Sequence, residues 1–134
     1  MGSRGGIFLK TLKLDLDGKY GLSNFLDRIW ILKYAGIKVK KVQIHHTTNG
    51  FHARLNCDNS IDDLKAILLQ VLLASDYRRE LCNLLKAERG CKSWNTLYKQ
   101  KWKTDRLGNE VIVSKETYDK DLSLKVMRAI ELGE

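Results

Sequence analysis

Asp15 and Asp17 stand two residues apart, while His45 and His52 flank the segment Thr47-Thr48-Asn49-Gly50. In an extended chain, residues i and i+2 share a face, so the two carboxylates converge on one small volume. Like charges there repel unless something positive sits between them. A divalent cation answers that need, and hard oxygen donors suit Mg²⁺ or Mn²⁺. Neighbouring cations such as Lys13 and Arg54 could also neutralise the pair.

The elements around these residues are legible in the periodicity. From Ile7 to Asp17 the chain alternates, with Leu12, Leu14 and Leu16 on one side and Lys13, Asp15 and Asp17 on the other. That pattern predicts a half-buried strand. Ser23 is positioned to cap a helix in which Phe25, Ile29 and Leu32 recur at helical spacing, ending at Gly36. Ile37–Ile44 and Phe51–Cys57 read as strands, and Asn49-Gly50 between them is a strong hairpin signal. With those two as the turn, His46 faces Ala53, His45 faces Arg54 and Ile44 faces Leu55. This register sends Val42, Ile44, Ala53, Leu55 and Cys57 inward, together with His46 as a hydrogen-bonded core residue. Lys41, Gln43, His45, Thr47, His52, Arg54 and Asn56 form the opposite face, which the first strand extends with Lys13, Asp15 and Asp17.

Further on, Ser60 caps a predicted helix with an apolar stripe of Leu64, Ile67, Leu68, Val71 and Leu72. Ser75 caps another, Asp76–Arg89, with Leu81, Leu84 and Leu85 inward and Gly90 stopping it. Cys91–Lys103 fits a helix or a strand. Leu107-Gly108-Asn109 reads as a turn, Glu110–Val113 as a short strand, and Ser114 as the cap of a last helix. The expected fold is α+β: residues 1–6 a flexible leader, residues 7–134 one domain, with a small antiparallel, RRM-like sheet and helices on one face.

The 134 residues carry a net charge of +8. Residues 1–57 contribute +7 and residues 92–106 contribute +4, flanking a near-neutral middle. Two basic blocks of this kind suit a polyanion. Nucleic acid is the expected partner, DNA ahead of RNA. Lys99, Lys101 and Lys103 lie among Trp94, Tyr98 and Trp102. Bases stack on aromatic rings while lysines follow phosphates, although aromatics at helical spacing are more often core residues with lysines snorkelling around them. No apolar run approaches the ~18 residues of a membrane span. Three cysteines without a C-x-x-C pair fit no secreted disulfide framework, so a cytoplasmic setting is expected.

Leu14-Asp15-Leu16-Asp17 resembles the D-h-D motif of the archaeo-eukaryotic primase superfamily, and Thr48-Asn49-Gly50-Phe51-His52-Ala53-Arg54-Leu55 resembles its second motif, a small polar residue and glycine leading to a strand histidine. Asp76-Tyr77-Arg78-Arg79 and Trp94-Asn95-Thr96-Leu97-Tyr98 are similar to segments of small primase-like proteins of archaeal viruses and plasmids. The resemblance implies nucleotidyl transfer, with Asp15 and Asp17 holding Mg²⁺ or Mn²⁺ and His52 on nucleotide phosphate. It implies phosphate contacts from Arg54, alongside the basic candidates Lys13, Lys41, His45, Lys99, Lys101 and Lys103. It also implies a third carboxylate from a later strand; Asp58 and Asp76 are the candidates, and spacing does not choose between them. Two rival readings are a non-catalytic RRM-like binding module and a rolling-circle replication endonuclease. The latter needs paired histidines, and His45 and His52 are expected only as diagonal neighbours.

Overall fold

The computed structural model describes residues 8–132; the expected leader, residues 1–6, lies outside the described residues. Strand β1 (Phe8–Asp17) leads into α1 (Gly18–Arg28) and the short α2 (Trp30–Tyr34). The hairpin β2 (Val39–His46) and β3 (Gly50–Asp62) follows, then α3 (Asp63–Leu72) and α4 (Tyr77–Glu88). A second hairpin, β4 (Gln100–Thr104) and β5 (Glu110–Lys115), precedes β6 (Thr117–Tyr118) and α5 (Lys120–Glu131). The fold is α+β, with an antiparallel four-stranded sheet in the order β1-β3-β2-β6 and β4-β5 as a separate pair.

The alternation in β1 works as expected: Leu12, Leu14 and Leu16 are fully buried, each contributing about 2 kcal/mol by leaving water. They join Val42, Ile44, Ala53, Leu55 and Cys57 in one core with Phe25, Ile29 and Leu32. Helices cover this face. The opposite face is polar.

The central hairpin departs from the expected register by two residues. His46 pairs with Phe51, His45 with His52, Ile44 with Ala53 and Gln43 with Arg54. A shift of two preserves every face, so Val42, Ile44, Ala53, Leu55 and Cys57 are buried as expected, whereas His46, at the end of the sheet, is exposed. The cause is the turn: Thr47 N–H donates to the Gly50 carbonyl at 2.8 Å, and neither Asn49 nor Gly50 has a positive φ. Gly50 is required for another reason. A Cβ there would lie 2.0 Å from the Leu16 carbonyl oxygen and 2.6 Å from the Gly18 nitrogen, so only glycine lets the end of β1 close onto β3.

Several caps and stripes also move. The first helix starts at Gly18, not after Ser23. Asp62 and Asp76 cap α3 and α4, where Ser60 and Ser75 were expected. The last helix begins at Lys120 under Asp119, because Ser114 lies within β5. No helix spans residues 91–103; Trp94 is fully buried, whereas Tyr98 and Trp102 are exposed. In α3 the buried side chains are Asp63, Ala66, Ile67, Leu69 and Gln70, leaving Leu64, Leu68, Val71 and Leu72 partly in water. In α4 they are Glu80, Asn83 and Ala87, while Leu81 and Leu85 are exposed. These helices turn polar groups inward because β1 is an edge strand whose backbone must be satisfied.

Lys13 N–H donates to Gln70 Oε1 and Asp15 N–H to Ser75 Oγ, both at 3.0 Å. The Asp15 carbonyl accepts from Asp76 N–H at 2.7 Å, and the Lys13 carbonyl from Arg79 at 2.9 Å. Behind them, Glu80 accepts from Gln70 and Ser75 at 2.7 Å, from Asn83 at 3.0 Å and from Arg79 at 2.5 Å. On the far side, Ile44 N–H donates to Ser123 Oγ and Asp119 N–H to the Ile44 carbonyl. Among the described residues no helix is long and apolar enough to cross a membrane.

Candidate functional site

Register places a row of polar groups across the open face. Asp15 on β1 is directly opposite His52 on β3, which is directly opposite His45 on β2, which pairs with Tyr118 on β6. The two imidazoles are therefore cross-strand partners and not diagonal neighbours. A second row holds Lys13, Arg54 and Gln43, and a third holds Thr11, Asn56 and Lys41.

Asp15, Asp17 and His52 line one cleft of about 350 Å³ with Thr48, Asp76, Lys101 and Ser114. The β1 fastening to α3 and α4 fixes Asp15 from behind, and the Gly50 approach sets the position of Asp17. Asp76 is the later carboxylate that reaches the cleft, but its Oδ1 caps α4 through Arg78 N–H at 3.0 Å. Asp58 lies elsewhere, beside Lys38 and Lys40.

Glu116 was not expected in the site. It follows β5, and its carboxylate accepts from His52 Nδ1 and from Arg54, each at 2.7 Å, with its side chain 6% exposed. Burial alone would raise its pKa, yet the bonds from Arg54 and His52 hold it below the usual carboxylate range. An ionised Glu116 takes the Nδ1 proton of His52 as its hydrogen bond and turns Nε2 toward Asp15, 3.7 Å from Oδ1. Its signal in sequence was slight: one acidic residue between the β-branched run Val111–Val113 and Thr117-Tyr118.

Arg54 also approaches His45 Nδ1 at 3.2 Å. Burial lowers the His45 pKa, aided by the charges of Arg54, His52 and Lys99 and opposed by Glu116. Lys13 is likewise lowered, first by burial and then by Arg54 and Arg79. These crowded cations are held by the scaffold against mutual repulsion, a favourable setting for an anion.

The basic candidates separate. Lys101 lines the carboxylate cleft. Lys99 lies on the other flank with His45, Lys115 and Tyr118. Lys41 sits two rows away, and Lys103 projects from β4. His46 is a correction: it lies at the end of the sheet, outside the core, with half its side chain in water and Nε2 2.6 Å from Asp119. Among the described residues no group of three or more His, Cys, Asp or Glu is placed to share a metal ion. Asp15 and Asp17 suit the looser arrangement in which Mg²⁺ takes one or two protein carboxylates and completes its shell with water and substrate phosphates. No protein-family model, curated protein or solved structure matches the chain.

Proposed function

We propose that the open sheet face binds nucleic acid and nucleotide phosphates, and that its carboxylate cleft supports metal-dependent nucleotidyl transfer of the primase-like kind. One observation carries this reading: Asp15, Asp17 and His52, from adjacent strands, line a single cleft beside a bank of cations. Asp15 and Asp17 would hold Mg²⁺ or Mn²⁺, which supplies charge neutralisation at a triphosphate. The chain's own groups do the rest. Lys13, Arg54 and Lys101 offer phosphate contacts, and Glu116 fixes the His52 ring so that Nε2 meets the substrate. With both nitrogens protonated, His52 donates to a phosphate oxygen; as the Nδ1–H tautomer it accepts a hydroxyl proton.

The test is nucleotide incorporation on primed and unprimed single-stranded templates with Mg²⁺ or Mn²⁺. Asp15→Ala and Asp17→Ala should each lower incorporation by roughly a hundredfold or more. A wild-type chain inactive with both metals, or variants as active as wild type, rejects the catalytic reading.

A second reading is a non-catalytic binding module. It is favoured by the commitment of Glu116 to Arg54 and His52 and of Asp76 to its cap, which leaves Asp17 and Asp15, itself 3.7 Å from His52 Nε2, as the cleft's carboxylates for a cation. It requires salt-sensitive nucleic-acid binding that EDTA does not alter.

A further inference from the structure

We propose that the β4–β5 hairpin is an arm that enters the major groove of duplex DNA. Every residue of β4 and all of β5 except Ser114 is exposed; near the base Lys101, Val113 and Ser114 line the carboxylate cleft, and from Trp102 to Ile112 the ribbon presents exposed side chains on both faces. A two-stranded ribbon in water is marginal by itself. This one is held at both ends. At its base, Glu116 N–H donates to the Lys99 carbonyl at 2.9 Å, the Glu116 carboxylate binds His52 and Arg54, and Thr48 Oγ1 donates to the Val113 carbonyl at 3.2 Å. At its tip, the Asp105 carboxylate accepts from Leu107 and Asn109 N–H, and Gly108 takes a φ of 84°.

The partner follows from the chemistry displayed. Lys99, Lys101, Lys103, Arg106 and Lys115 oppose Asp105 and Glu110, and Asp105 is spent on the turn. Five residues of strand extend about 17 Å, and the major groove, about 12 Å wide, admits a two-stranded ribbon. Groove entry brings both ribbon faces against the groove walls, where cations meet phosphates and apolar groups meet base edges. The ribbon carries apolar groups on both faces, Trp102 across from Ile112 on one and Val111 across from Lys103 on the other. Single-strand binding would need successive aromatic platforms, and Trp102 is the one aromatic residue between Lys99 and Lys115. The arm goes beyond the carboxylate cleft and does not depend on its chemistry.

The experiment measures anisotropy of a fluorescein-labelled mixed-sequence 20-base-pair duplex and of dT₂₀ with the full chain, from 50 to 200 mM salt. The duplex should bind more tightly. Lys103 and Arg106 lie outside the cleft and are exposed, so K103A/R106A should keep the wild-type circular dichroism and melting temperature. That double variant should flatten the slope of log K against log salt by about 1.8, the loss of two phosphate contacts, and bind the duplex about tenfold more weakly at 100 mM. The binding is measured in EDTA and without nucleotide, which separates failure of the arm from failure of the nucleotidyl-transfer reading. An unchanged slope in K103A/R106A overturns the proposal. So does tighter binding of dT₂₀ that Trp102→Ala abolishes, which would make the ribbon a stacking arm.

Discussion

Glu116 shows how one side chain can join two parts of a chain. Its carboxylate fastens the β4–β5 ribbon to the sheet and orients His52, the imidazole facing Asp15. Its depressed pKa means that its contribution to stability is present above the ordinary value of 4.5 and is lost as pH falls through the folded value. His45, lowered from 6.5, follows the same sign: its contribution is complete above about pH 6.5 and fades as the ring is forced to protonate. The melting temperature should therefore fall in two stages as pH drops from 7 into the acid range, and Glu116→Gln should diminish the lower stage in a pH series of thermal melts, Asp119, also lowered, supplying the remainder. Cys57 differs from Cys82 in a way that alkylation can read. Burial pushes the Cys57 thiol up to about 11, while Cys82 is exposed. Iodoacetamide followed by peptide mapping should modify Cys82 in the native protein and Cys57 only after unfolding. Ala74 occupies left-handed backbone at φ 74° in the turn before Ser75. Ala74→Gly should stabilise the chain by about 1 kcal/mol in urea titration.

Among the elements, β1 was the most readable and its surroundings the least. Alternation of leucine with charge is a local pattern, and it placed Asp15 and Asp17 on the open face without tertiary information. The stripes of α3 and α4 mislead because leucine spacing ordinarily marks the buried side. The edge of β1 reverses that preference: unpaired N–H and C=O groups need Gln70, Ser75 and Arg79, and those residues need Glu80 and Asn95. Gln70→Ala should cost about 3 kcal/mol in equilibrium unfolding, since it strips the acceptor from Lys13 N–H and a partner from both Glu80 and Asn95. Asn49-Gly50 shows the same limit. The dipeptide correctly marked a hairpin, but the glycine answers to the end of β1, a contact invisible to a two-residue turn rule. Gly50→Ala should cost about 3 kcal/mol by the same assay, because the obstacle is backbone and cannot rotate aside.

For the whole molecule, charge and hydrophobic alternation determined much from sequence alone: an α+β sheet, which side of each central strand faces the core, and a cationic character divided into two blocks. These are properties of period and composition, which do not depend on where distant segments go. Only the tertiary structure decided that Asp15, Asp17 and His52 share a cleft with Lys101, that Glu116 completes the setting of His52, and that residues 100–115 form an exposed ribbon. Each of these joins residues more than thirty positions apart in the chain or concerns a segment whose exposure no local pattern records. Side-chain period assigns a residue to a face; the neighbour across that face is chosen by register, loop path and the need to satisfy every buried polar group.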